Sequence, residues 1–152
     1  MGNRISANVI RTTALSRDAA WQAVSDHADI VNWAPRTNVE LTPSTGDDPN
    51  GVGAVRRISG LLLPATIVER VTEFTPTERL SYAAEAGVPF RNYEATIVLR
   101  DRADGGTEVA WSATADGRFP GDDVLLRGLV LGLQTLLGRR MSAIAKAGGA
   151  QS

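Results

Sequence analysis

A chain of 152 residues, 43% of them hydrophobic, suits one domain with a real core. Sixteen basic residues against seventeen acidic ones leave a formal net charge of −1, so no long-range field draws in nucleic acid or an anionic membrane. There is no cysteine and one histidine, His27, which argues against disulfides, a zinc site or a serine-histidine triad; no metal and no cofactor is expected.

Met1 to Ala7 lacks the apolar core of a secretory leader, and the longest greasy stretch, Val124 to Leu137, contains Arg127. It falls short of the roughly 20 residues that span a bilayer, so the expected location is cytoplasmic. Residues 4–13 are rich in β-branched residues and predict a strand. Ser16 then caps a helix that carries Ala19, Ala20, Trp21, Val24 and Ala28 at helical spacing. A second short helix is expected over Asp26 to Asn32, ending before Pro35.

From there the punctuation is that of strands, near 36–43, 53–60, 64–74, 78–86, 91–101 and 107–116. Tyr93, Ala95, Ile97 and Leu99 share one face of their strand, and Val109, Trp111 and Ala113 one face of the next. Polar partners point the other way, as in a sheet wet on one side. Gly121 to Ala147 reads as one long helix opened by Asp122 and Asp123, where the helix dipole favours negative charge. Gly148 to Ser152 would be a frayed tail. The whole chain, 1–152, is one α+β domain in which the long helix must cover the apolar face of the sheet.

The segments Leu15-Ser16-Arg17-Asp18-Ala19-Ala20-Trp21, Trp33-Ala34-Pro35 and Gly51-Val52-Gly53-Ala54-Val55-Arg56-Arg57 lie in this order. Val68-Glu69-Arg70-Val71-Thr72-Glu73, Leu80-Ser81-Tyr82 and Gly106-Thr107-Glu108-Val109-Ala110-Trp111 follow. Together they resemble the START and polyketide cyclase/dehydrase superfamily, with the helix-grip fold of the birch-pollen allergen. The resemblance implies a curved seven-stranded antiparallel sheet around a long C-terminal helix and a cavity for lipids, polyketides or similar molecules. It leaves the activity open, since the family holds carriers, receptors and cyclases alike.

A meander sends alternate loops to opposite ends of the sheet. Leu61-Leu62-Leu63, Gly87-Val88-Pro89-Phe90 and Gly117-Arg118-Phe119-Pro120-Gly121 therefore share one end, and the Asp-, Gly- and Thr-rich loops share the other. Clustered apolar tips mark a cavity opening or a partner surface, or else fold inward as a cap on the core. Leu63, Phe90 and Phe119 are the tips expected to meet an apolar ligand.

Alternation places Glu69 with Ile67 and Val71 on the apolar face of its strand. An inward carboxylate must be paired or neutral. Arg56 or Arg57 is the expected partner, with Arg57 taken as a ligand contact. Glu69 and Tyr82 are the candidate catalytic pair; Tyr93, Trp111, Leu125 and Leu129 complete the expected ligand contacts. Ordinary packing and a structural ion pair are the competing readings. His27, between Asp26 and Asp29, reads as part of a solvated face.

The long helix is apolar on more than one side and holds Gly128, Gly132 and Gly138, which ask for close packing or room for a ligand. Its breadth points to a homodimer through that helix. Three functions remain open: binding an apolar or amphipathic small molecule, cyclase or dehydratase chemistry in the same cavity, and protein interaction through the apolar loops.

Overall fold

The computed structural model describes residues 3–34, 36–60 and 65–150. β1 (Asn3–Thr13) is followed by α1 (Arg17–Ser25), a short 3-10 turn (His27–Asp29) and α2 (Ile30–Trp33). Then come β2 (Thr37–Thr42), β3 (Val55–Gly60), β4 (Ile67–Thr75), β5 (Arg79–Ala86), β6 (Arg91–Asp101), β7 (Thr107–Gly117) and α3 (Asp122–Ala150). The expected helix thus runs on to Ala150, through part of what the sequence reads as a tail.

The sheet has seven strands in the order β1-β7-β6-β5-β4-β3-β2, and every pair is antiparallel. Each sequence neighbour is a spatial neighbour except β1, which closes onto β7. The expected helix-grip meander is therefore the fold. Tyr93, Ala95, Ile97 and Leu99 are buried along β6, and Val109, Trp111 and Ala113 along β7. Strict alternation in both strands turns this apolar face inward.

α3 covers that face with Leu126, Val130, Leu137 and Met141, all buried. Gln134 sits in the same stripe and donates from Nε2 to the carbonyls of Val9 and Val109, at 3.2 and 3.0 Å. A fully buried side chain thus ties the helix to β1 and to the first part of β7.

Two caps behave as local chemistry dictates. Ser16 Oγ accepts from Ala19 N at 3.2 Å and starts α1. Asp122 Oδ2 accepts from the backbone N–H groups of Arg118 and Phe119, at 2.7 and 3.0 Å. Those bonds pull the Asp122 carboxyl below its ordinary range and fold the Arg118–Gly121 loop back on the helix start. Within one chain, Gly128 and Gly132 serve neither close packing nor room for a ligand. A Cβ at Gly128 or Gly132 would meet nothing within 4 Å, and neither residue lines the cavity described below.

Candidate ligand-binding site

Between the sheet and α3 lies a cavity of about 120 Å³. α2 and its C-cap contribute Ile30, Trp33 and Ala34; β3, the start of β4 and the β5–β6 loop contribute Ile58, Ile67 and Val88. Leu129, Leu133 and Leu136 close it from α3. Its inner wall is polar and belongs to the sheet: Arg56, Glu69, Tyr82, Tyr93 and Trp111.

That wall follows from pairing. Arg56 stands opposite Glu69 in the β3–β4 ladder, so both side chains share the inner face. Arg56 Nη2 donates to Glu69 Oε2 at 3.1 Å, with both side chains buried. Its guanidinium carbon also lies 4.2 Å from the centre of the Tyr82 ring, a cation-π contact. Of the two candidate arginines, parity selects Arg56. Arg57 faces solvent on the outer side, near Thr42 Oγ1 at 3.4 Å, and is not a cavity residue.

His27 corrects the sequence reading most sharply. Far from lying on a solvated face, it is fully buried. Its Nε2 lies 3.0 Å from the Asn50 carbonyl and its Nδ1 lies 3.0 Å from Arg56 Nη1. A carbonyl only accepts and a guanidinium only donates, so Nε2 must carry the proton and Nδ1 the lone pair. The ring is therefore neutral. Burial, reinforced by the Arg56 charge, lowers its pKa to about 4. The result is a buried chain: Asn50 carbonyl, His27, Arg56, Glu69.

Tyr82 and Tyr93 both face inward, as expected. Burial raises both phenols above their ordinary range, with Tyr93 and Glu69 adding to the rise at Tyr82 and Glu69 adding to it at Tyr93. The Trp111 indole approaches the Tyr82 hydroxyl closely enough to favour its phenolate, yet its N–H completes no hydrogen bond. Trp33 packs edge-on against Trp111, ring centres 6.4 Å apart at 79°. Trp33 is thus a cavity wall as well as an anchor for α2.

α2 is held from both sides. Arg140 of α3 grips Asp29 through Nε and Nη2, at 3.1 and 2.9 Å. Thr37 Oγ1 donates to the Ala34 carbonyl at 2.6 Å, fixing the step into β2.

The remaining expected contacts divide. Leu129 lines the cavity, but Leu125, about one turn earlier on the same side of α3, is 54% exposed and does not reach it. Val88 supplies the apolar loop contact in place of Phe90, which is buried in the main core. The reason is a register shift between Arg91 and Glu94, with Asn92 left-handed at φ 52°. The extra residue rotates Phe90 onto the core side. Phe119 is 71% exposed and borders an open groove with Asn3, Ile5 and Gly117. That groove holds none of the buried polar groups of the inner wall. Leu63, with Leu61 and Leu62, lies outside the described residues.

Among the described residues no cluster of acidic or histidine side chains is gathered that could hold a metal ion, and no helix is long and apolar enough to cross a membrane.

Comparison with known proteins agrees with this architecture. A family model described as polyketide cyclase/dehydrase and lipid transport matches residues 4–147. Among solved structures, Ara h 8.0201 superposes with a TM-score of 0.70 at 14% identity, over 91% of this chain and 98% of its own. A protein of Nitrosospira multiformis gives 0.73 at 16% identity, over 93% and 99%. A point mutant of norcoclaurine synthase from Thalictrum flavum, in complex with a transition-state analogue, gives 0.72 at 13% identity, over 93% and 96%. At such identities these likenesses speak to the fold alone. No curated protein matches the sequence significantly.

Proposed function

The chain belongs to the polyketide cyclase/dehydrase and lipid transport family, and we propose that it binds an apolar or amphipathic small molecule between its sheet and α3. The observation that supports this is an apolar cavity closed on one wall by a buried polar cluster, Arg56, Glu69, Tyr82 and Tyr93. Few convergent polar groups in a mostly apolar enclosure are what a small-molecule site requires.

Size narrows the ligand. Drug-sized ligands occupy roughly 300–1,000 Å³, whereas a dry cavity of about 150 Å³ accommodates benzene. A cavity of about 120 Å³ therefore suits a single ring, or one ring-sized end of a longer molecule. The test is a titration with ethylbenzene followed by the three tryptophan indole signals. Saturable binding that shifts Trp33 and Trp111 more than Trp21 is expected; a flat response rejects the reading.

The cluster of Glu69, Tyr82 and Tyr93 favours one second reading, a cyclase or dehydratase acting in the same space. In it the raised tyrosines serve as proton donors, not as bases, at neutral pH. Glu69, already bonded to Arg56, positions the guanidinium. Binding is the better supported of the two, because the wall offers donors without an evident free base. A second copy of the chain is the protein partner we assign. Val124, Leu125 and Leu131 are exposed on one side of α3, with open space at Gly128 and Gly132 between them. Light scattering that reports a monomer at all concentrations would reject that partner.

A further inference from the structure

Three buried N–H groups have no hydrogen-bond partner among the described residues: Trp33 Nε1, Trp111 Nε1 and Arg56 Nε. All three belong to residues that line the cavity. Each donates and can never accept. The Tyr82 and Tyr93 hydroxyls, which keep their protons, can each donate or accept, and the Tyr82 hydroxyl lies near the Trp111 indole without completing a hydrogen bond to it. The acceptor of greatest strength on this wall, the Glu69 carboxylate, already receives Arg56 Nη2.

A buried donor without an acceptor costs about 1–3 kcal/mol. One such group is ordinary; three around one small cavity, all of the same polarity, describe the complement of a molecule. A carbonyl oxygen has two lone pairs and no proton, so a single one can serve two of these donors and adds no donor of its own.

Charge sets the second condition. Among the described lining residues Arg56 is the one cation and Glu69 the one anion, and they are paired at 3.1 Å. A ligand carboxylate would enter as an uncompensated charge beside Glu69, in an enclosure too apolar to solvate it.

We propose that the molecule held in this cavity carries a neutral carbonyl oxygen, as in a ketone or an ester, directed at the indole N–H groups of Trp33 and Trp111. This rests on the ligand-binding reading above and names the chemistry of that ligand.

The test uses the intact chain, labelled with ¹⁵N, whose three tryptophans give three indole N–H signals. Acetophenone, ethylbenzene and benzoate share one ring and nearly one size, and differ in the group attached. Acetophenone should bind about tenfold more tightly than ethylbenzene, the worth of one buried hydrogen bond. It should move the Trp33 and Trp111 indole protons downfield and leave Trp21 in place. Benzoate should bind most weakly. Trp111→Phe and Trp33→Phe, which keep an aromatic wall and remove the donor, should each shrink the ratio of acetophenone to ethylbenzene affinity, both measured on the same variant, to within about threefold.

Equal saturable binding of ethylbenzene and acetophenone, with unmoved indole protons, would overturn the carbonyl assignment and leave ligand binding standing. Benzoate as the tightest ligand would overturn the neutral half. No saturable binding of any of the three would reject the carbonyl assignment together with the binding reading beneath it.

Discussion

His27 is enclosed completely, and the two atoms that face its ring nitrogens demand the neutral form. Unfolded, the ring titrates near 6.5; folded, it resists the proton until about pH 4. Above pH 6.5 both states are neutral and His27 adds nothing to the pH dependence. As pH falls from 6.5 towards 4 only the unfolded chain takes up the proton, so stability drops, and below pH 4 the loss is complete. The slope is at most about 1.4 kcal/mol per pH unit, and the total on the order of 3 kcal/mol. Urea unfolding at pH 7 and pH 4.5 should show the native chain losing about 2–3 kcal/mol more than His27→Gln loses. Parallel pH profiles would mean that the ring is not held neutral.

Glu69→Gln removes the charge that balances Arg56 in a buried site. Breaking such a pair from one side costs about 3–5 kcal/mol, and urea midpoints should report a loss of that order. Ethylbenzene affinity should stay within about threefold, because the pair acts as scaffold. The reverse pattern, intact stability with lost affinity, would make Glu69 a ligand contact. Alternation alone made the inward turn of Glu69, Tyr82 and Tyr93 legible. His27 was not legible, because Asp26 and Asp29 beside it imply solvent. What buries it, Asn50 and Arg56, lies more than twenty residues away, and no local pattern encodes that contact.

At the level of elements, the hairpins hold the cavity open in the right place, and two glycines separate geometry from crowding. Gly87 and Gly105 both sit at positive φ, +89° and +87°. A Cβ at Gly105 would meet nothing within 4 Å, while one at Gly87 would lie 2.1 Å from the Thr66 carbonyl oxygen and 2.6 Å from Ile67 Cα. Gly105→Ala should cost only the left-handed conformation, about 1–2 kcal/mol. Gly87→Ala must also displace the start of β4, adding about 1–3 kcal/mol, and should weaken ethylbenzene binding because Ile67 and Val88 line the cavity. Equal thermal midpoints for the two variants would contradict the close approach. Strand order and the inner faces of β6 and β7 could be read from sequence, since alternation persists over their full length. Phe90 could not, because a single inserted residue near Asn92 reverses parity without leaving a compositional mark. Leu125 was misplaced for a different reason: it shares a side of α3 with Leu129, and periodicity does not announce where along the helix the cavity ends.

The molecule as a whole is a sheet, a long helix, and a space between them that two clamps keep in shape. Gln134 ties α3 to the sheet, and the Arg140–Asp29 pair ties α2 to α3. A ligand that fits this space binds only the folded chain, so it stabilises by mass action. Acetophenone at about a hundred times its Kd should add roughly 2.7 kcal/mol, or about 5–10 °C for a domain of this size. An unchanged or lowered Tm would count against an internal site.

The central claim is that the space bounded by Ile58, Ile67, Trp111, Leu129 and Leu133 is where a small apolar molecule resides. Crystals soaked in bromobenzene, measured at the bromine absorption edge, locate the ring without reference to affinity or stability. The account predicts one dominant anomalous peak inside that space, on the side of the indoles. A peak in the open groove beside Phe119 and Ile5, or none within the protein, would contradict it.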